Sequence, residues 1–509
     1  MSKNDYIQSL EDKKELYHYQ KRDIDVIFDK MDNTPSNYHL LYQLPTGGGK
    51  TVIFSEIVRR YLEHHNKKVV VLTHRIELCR QTSRMLNTFD VKNKIITSDI
   101  KELPDQDEYS CFVAMIETLK NRLNDKKFLI DNVGLVIIDE AHYNSFRKLF
   151  SSFKKSYIIG VTATPLSSNI KLPMYQNYNE LIVGDTIQSL IDKGYLAKAT
   201  TYSYDVGLTS LKVGINGDYT VKSSDDLYMN MVMQEKLLHA YTEKSLGKKT
   251  LIFNNGINTS LYVYDTFKEA GYDNIRHLDN TTSAEERKDI LHWFKKTPDA
   301  ILTSVGILTT GFDEPTVESI ILNRATKSIT LYFQMIGRGS RKLHDKNEFI
   351  IIDLGNNALR FGLWNEPVDW QHIFKYPEHY LESLRDDAEI EKNFSYKMPD
   401  AVRKKFSKTK DISFDVEAEF KKTVSSNLKS KEVIEKSILQ HANMCVDNSE
   451  TILEARMLSK LLNDDIENRV KKYVNCLGKT SKNYREWLVD DYKQKLTLSI
   501  GTIFRKKHF

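Results

Sequence analysis

Leu44-Pro45-Thr46-Gly47-Gly48-Gly49-Lys50-Thr51 stands directly after an apolar run, residues 38–43, and directly before an amphipathic stretch, residues 51–65. Glycines let backbone N–H groups point at phosphates without a clashing Cβ, and the start of the following helix adds a favourable dipole. Lys50 can then reach β- and γ-phosphates, and the Thr51 hydroxyl can ligate Mg²⁺. The usual phosphate-loop pattern begins with Gly, whereas Leu44 stands there. A strand before and a helix after outweigh the alternative of a Gly-rich turn with a chance lysine. Strand, loop and helix in this order predict an α/β fold with its site at the C-terminal ends of parallel strands.

The alternation continues on both sides of the loop. Short runs rich in Val, Ile and Leu recur at residues 68–73, 110–115, 135–139 and 157–161, with helical patterns between them such as residues 75–89. Such runs suit strands buried on both faces of a parallel sheet. A second series of strands is expected at residues 250–254, 274–278, 300–304, 317–322 and 348–353, with helices at 259–270, 283–296 and 328–336. The expected organisation is two tandem parallel-sheet units, residues 1–200 and 201–370, followed by a mainly helical region, residues 371–509. A less regular stretch near residues 186–230 joins the two units.

The run Leu135-Val136-Ile137-Ile138 delivers Asp139, Glu140, Ala141 and His142 at its C-terminal end. Adjacent acids there can divide two tasks. Asp139 would hold Mg²⁺, and Glu140 would orient and deprotonate an attacking water.

Composition narrows the class. A chain of 509 residues exceeds one core, so about three domains are expected. No run of some eighteen apolar residues appears, so no membrane partner is expected. Residues 1–13 are polar and lack a secretory core. Cys79, Cys111, Cys445 and Cys476 have no paired spacing, which argues against disulfides and zinc and fits free thiols in a reducing cytoplasm. The net charge of +5 is mild, and its basic excess falls after about residue 370.

Asp-Glu-Ala-His after a loop ending Gly-Lys-Thr resembles the DEAH group of superfamily 2 helicases, and further motifs follow in the family order. Tyr17-His18-Tyr19-Gln20 resembles the adenine-reading element, with Tyr17 near the place where an arginine is common. Thr73-His74-Arg75 and Met115-Ile116-Glu117-Thr118 resemble nucleic-acid-contact motifs, and Thr162-Ala163-Thr164 resembles the motif that couples hydrolysis to movement. In the second unit, Leu308-Thr309-Thr310-Gly311-Phe312-Asp313 resembles motif V, and Gln334-Met335-Ile336-Gly337-Arg338-Gly339-Ser340-Arg341 resembles motif VI. The spacing of Arg338 and Arg341 predicts one face of a helix, from which both would reach across a cleft. Within the superfamily the chain is most similar to RadD-like bacterial proteins, over roughly residues 15–365, but two distal cysteines cannot make the zinc site of that branch.

The resemblance implies two RecA-like domains and an ATP- and Mg²⁺-dependent hydrolase. Lys50, Asp139, Glu140, Gln334, Arg338 and Arg341 would be catalytic, with Thr51 and Asp139 at the metal. Gln20, Pro45, Thr46, Gly47, Gly48, Gly49, His142, Gly311 and Asp313 would complete the nucleotide site. Thr73, His74, Arg75, Thr118 and Thr309 would contact nucleic acid, with DNA favoured over RNA, and Thr162 and Thr164 would couple the two. An RNA helicase and a non-unwinding clamp or switch stay open as alternatives. The tail is expected to bind nucleic acid or a protein partner. Its run Arg403-Lys404-Lys405-Phe406-Ser407-Lys408-Thr409-Lys410 is either a phosphate-contacting patch or a solvated face. Trp364, Trp370 and Tyr376 could stack bases or pack on the second unit.

Overall fold

The computed structural model describes residues 15–103, 105–124, 130–309, 312–394, 398–409, 412–426, 428–477 and 482–508. The polar N-terminus (1–13), Thr310, Gly311 and Lys410 therefore lie outside the described residues. The chain divides into two compact units, one of residues 1–228 and 237–390, the other of residues 229–236 and 391–509.

The first unit holds two parallel sheets. Strands β1 (Leu40–Gln43), β2 (Lys68–Thr73), β3 (Asn93–Ile96), β4 (Cys111–Met115), β5 (Val133–Asp139), β6 (Tyr157–Thr162) and β7 (Glu180–Val183) form one, in the order β3-β4-β2-β5-β6-β1-β7. Strands β8 (Lys198–Ser203), β9 (Thr250–Asn254), β10 (Ile275–Leu278), β11 (Ile301–Val305), β12 (Ser319–Asn323) and β13 (Glu348–Asp353) form the other, in the order β10-β11-β9-β12-β13-β8. Helices cover the faces, so the central strands are buried along their length, as the continuous Val69-Val70-Val71-Leu72 run requires. The ten expected strands are present. The three extra ones, β3, β7 and β8, lie at sheet edges. There one side is free, and a sequence such as Lys-Ala-Thr-Thr-Tyr-Ser need not be apolar.

The second unit is helical. Helices Val416–Ser425, Glu432–Asp447, Ile452–Lys460, Asn463–Leu477 and Lys482–His508 close on a core that includes Val433, Ile438, Ala442, Ile466, Val470, Leu496 and Ile500. Thr451 and Glu454 cap the third of these reciprocally. Phe406, the aromatic of the basic run, is 1% exposed and belongs to this core, while Arg403, Lys404 and Lys405 stay at the surface of two short turns of helix. It is therefore not a stacking residue. Trp364 and Trp370 are buried against Phe349 and Phe333, with ring centroids 5.5 and 5.8 Å apart, and only Tyr376 is exposed. Among the described residues no helix is long and apolar enough to cross a membrane.

Candidate functional site

The phosphate loop turns sharply at Gly47 (φ +91°) and Gly49 (φ +83°), a conformation that side chains other than glycine rarely adopt. A Cβ on Gly49 would sit 2.6 Å from Gln20 Nε2, and one on Gly47 would sit 2.8 Å from Ser340 Oγ. The loop is thus closed in from both sheets. Gln20 is buried, accepts the Tyr17 N–H at 3.0 Å and lies beside Tyr19, whose hydroxyl donates to the Gly48 carbonyl at 2.7 Å. The Tyr17 ring packs on Tyr195 with centroids 4.3 Å apart. Pro45 and Thr46 precede the turn. Lys50 and Thr51 begin the helix Lys50–His64, and Lys50 Nζ donates to the Leu44 carbonyl at 3.3 Å.

The acids follow β5 by direct continuation. Asp139 accepts the Glu140 N–H at 3.0 Å, and Glu140 itself adopts a left-handed backbone (φ +51°). Burial and the Glu140 charge push the Asp139 carboxyl upward, against the pull of Lys50. Burial also opposes ionisation of Glu140, but Lys50, His142, His74 and Arg338 outweigh it and hold this carboxyl below its ordinary value. Burial lowers Lys50 even with both acids nearby. Burial pushes His142 down, against the pull of Glu140. The His142 Nδ1 lies 3.1 Å from Thr162 Oγ1 and 3.3 Å from Glu140 Oε2. Glu140 Oε2 is left without a hydrogen bond.

The opposite wall corrects one expectation. The helix Ile329–Ile336 stops at Gly337, so Arg338 and Arg341 do not share a helical face. Gly337 and Gly339 turn the chain into a loop instead, where a Cβ on Gly337 would lie 2.6 Å from Thr46 Cβ. Arg338 donates to the carbonyls of Thr309 and Phe312, keeps its Nε unpartnered, and is pushed down by burial to about 10, so it stays charged. Arg341 grips Asp313 through Nε and Nη2 at 3.1 and 3.3 Å, and its Nη1 reaches the Gly47 carbonyl at 3.1 Å. Gln334 is buried with its Nε2 unpartnered. Thr162 bonds Thr164, and the Thr164 hydroxyl donates to Thr330 Oγ1 at 2.9 Å, which links the strand end beneath His142 to the helix that carries Gln334.

These features fit a nucleotide triphosphate. Glycines leave room where a Cβ would intrude, a lysine and two arginines converge, and polar atoms of Glu140, Gln334 and Arg338 are buried without partners. A hydroxyl and a carboxylate, Thr51 and Asp139, are the hard oxygen donors that Mg²⁺ takes.

The residues expected at nucleic acid separate into two groups. Thr73 is fully buried and its hydroxyl is occupied by the Arg75 carbonyl at 3.1 Å and Cys79 Sγ at 3.0 Å, so it shapes the loop that presents Arg75. His74 turns inward onto Tyr143 (4.4 Å), which packs on His142 (4.3 Å), and burial lowers His74 to about 4. Arg75 is half-buried. With Asn255, Gly256, Asn258, Arg287 and Gly306 it lines a cavity of about 820 Å³ between the two sheets. Thr118 is half-buried on the helix Ile116–Asn124, and Thr309 is buried with its hydroxyl on the Gly306 carbonyl at 2.7 Å. Sequence reasoning missed Asn255 and Asn258, although they follow the end of β9 where ligands of such sheets bind. It also missed Arg287, which no local signal marks.

Two parallel sheets in tandem, with phosphate loop and acid pair on one and arginines on the other, define the motor core of a superfamily 2 helicase. Residues 13–167 match the type III restriction enzyme, res subunit, and residues 231–342 match the helicase conserved C-terminal domain, so both halves of such a core are matched. The "Putative ATP-dependent helicase IRC3" of Saccharomyces cerevisiae is 33% identical over 338 residues, 61% of this chain and 47% of that protein. This chain thus spans about half the length of that relative. A "51.5 kDa protein" of Lactococcus phage (isolate 7-9) is 28% identical over 339 residues, covering 66% of this chain and 70% of its own. Among solved structures, a fragment described as "a putative HsdR subunit of a type I restriction enzyme" from Vibrio vulnificus YJ016 is alike in fold. It has TM-score 0.54 at 20% identity over 67% of this chain and 64% of that one.

Proposed function

We propose that the protein is an ATP-dependent, DNA-stimulated translocase or helicase of the DEAH type. The observation that carries this reading is the bond from Arg341 of the second sheet to the Gly47 carbonyl of the first sheet's phosphate loop. A site divided in this way favours closure of its walls on the triphosphate and release after hydrolysis. Lys50 and the loop N–H groups bind the phosphates, with Gln20 on the adenine edge. Thr51 and Asp139 would hold Mg²⁺, which would neutralise charge on the phosphates. Glu140 accepts the proton of the attacking water through its unpartnered Oε2. Arg338 and Arg341 meet the charge that develops on the transferring phosphoryl group, and His142, Thr162 and Thr164 pass the change to the helix of Gln334.

Arg75 and Arg287, contributed by different sheets to one cavity, are like charges that a phosphate backbone would neutralise, with Glu77 4.0 Å from Arg287 as the one carboxylate paired there among the described residues. DNA is favoured because the matched family model and the similar fold are those of restriction enzymes. ATP hydrolysis measured with single-stranded DNA, duplex DNA, forked DNA and RNA, with Lys50→Ala as the blank, tests the reading. DNA stimulation well above that by RNA is expected. Stimulation by RNA alone would replace it with an RNA helicase, and stimulated hydrolysis without strand or streptavidin displacement would replace it with an ATP-driven clamp.

A further inference from the structure

Lys346 follows the motif VI loop on a tight hairpin, in which Leu343 and Lys346 exchange backbone hydrogen bonds at 3.0 and 3.2 Å. Its side chain turns back into the protein and is 6% exposed. The ammonium donates to the carbonyls of Gly339 at 2.7 Å, Arg341 at 2.8 Å and Pro315 at 3.0 Å. An ammonium has three N–H donors, and all three are used on backbone oxygens. Two of the acceptors lie in the loop that carries Arg338 and Arg341. The third lies two residues beyond Asp313, the carboxylate that grips Arg341.

Among the described residues no carboxylate lies within ion-pair distance of this ammonium. Glu318, Glu314 and Asp345 act on it only from farther away, and burial pushes it down to about 7. A buried ammonium without a touching counter-ion is a poor way to stabilise a fold, and an apolar side chain of equal length would serve better. What the ammonium adds is geometry. The helix has ended at Ile336; beyond it the loop makes one isolated bridge to Leu196, with Ser340 accepting from Ala197 at 2.9 Å, while the carbonyls of Gly339 and Arg341 face the ammonium.

We propose that Lys346 is a positioning residue for hydrolysis, whose ammonium fastens the loop bearing Arg338 and Arg341 to the segment bearing Asp313 and so aims both guanidinium groups at the nucleotide. This rests on the ATPase reading above. Lys346 touches no substrate; it acts through the two arginines.

Nucleic-acid-stimulated ATP turnover and the affinity for a non-hydrolysable ATP analogue are to be measured for the full chain and for Lys346→Met and Lys346→Arg. Displacement of a catalytic group by an ångström costs about 100-fold, so Lys346→Met is expected to lower kcat by about that factor while KM and analogue affinity move less than about threefold. Lys346→Arg, which restores donors and charge, is expected to recover at least about a tenth of the wild-type rate. In an Arg338→Ala, Arg341→Ala background, Lys346→Met is expected to add less than about twofold, because its effect is already lost. Wild-type turnover in Lys346→Met overturns the proposal. So does a full further loss in the double-alanine background, or an Arg variant no better than Met. If Lys346→Met does not fold, Lys346→Gln takes its place under the same criteria. Absence of turnover in the wild-type chain would instead defeat the ATPase reading.

Discussion

Two buried polar clusters, one in each unit, are built in opposite ways. In the helical unit, His441, Asp465, Arg469, Tyr492 and Ser437 are closed on one another. His441 bonds Asp465 at 2.7 Å and Tyr492 at 3.0 Å, Tyr492 bonds Ser437 at 2.7 Å, and Arg469 pairs with Asp465 at 2.7 Å. Arg469 balances the Asp465 charge, so His441 can stay neutral, and burial lowers it to about 4. Around the phosphate loop the pattern is reversed. Glu140 Oε2, Gln334 Nε2, Arg338 Nε and both ring nitrogens of His74 are buried and unpartnered. A satisfied network specifies a fold, whereas a group of orphaned atoms at one cleft marks where something else must bind.

The sharpest way to break this contrast is to exchange its consequences. Glu140→Gln is expected to lower ATP turnover by about 1,000-fold and leave the melting temperature almost unchanged, since the lost oxygen supports nothing in the fold. Phosphate release and calorimetry on one preparation check both halves, and a large drop in melting temperature would mean that the atom is structural. Asp465→Asn is expected to do the reverse. It strands the Arg469 charge and should cost about 3 kcal/mol in unfolding of the helical unit, with basal turnover within about twofold at 20 °C. Loss of turnover with stability intact would erase the distinction.

Acidity gives the smallest effect. His441 gains a proton near 6.5 when unfolded but only near 4 when folded, so stability is full above pH 6.5 and declines as the pH falls toward 4. The depressed Asp465 carboxyl loses its own contribution only below the ordinary carboxylate range, outside this window. In unfolding of the helical unit this imidazole should therefore cost at most about 2 kcal/mol at pH 5 relative to pH 7, and His441→Gln should remove that part of the difference. A pH-independent midpoint would mean that the imidazole titrates alike in the folded and unfolded chain, and stability rising toward pH 5 would mean that it is charged in the fold.

Central strands were legible because each is a short apolar run that must be buried on two faces; residues 250–254 and 348–353 fold as read. Edge strands β3, β7 and β8 were not, since a half-exposed strand need not look apolar. Lys50, Asp139 and Glu140 sit on or next to regular elements, and local pattern places them. Arg341 does not. Its partners lie 28 and 294 positions away, and the glycines flanking Arg338, rather than the arginine spacing, decided the local conformation. Phe406 misled because it sits among charged neighbours that look solvated, and only tertiary closure turns it inward; Lys346 was passed over in a similar charged setting.

The left-handed backbone at Glu140 has a consequence for how this chain could be improved or could decay. An L side chain held at φ +51° costs on the order of 1 kcal/mol that glycine would not. Selection for heat resistance alone would therefore drift toward Glu140→Gly, a sturdier molecule with a silent motor. A Glu140→Gly chain that melted below its parent would remove this opposition. Until then, any thermal screen of this protein needs turnover as its second axis.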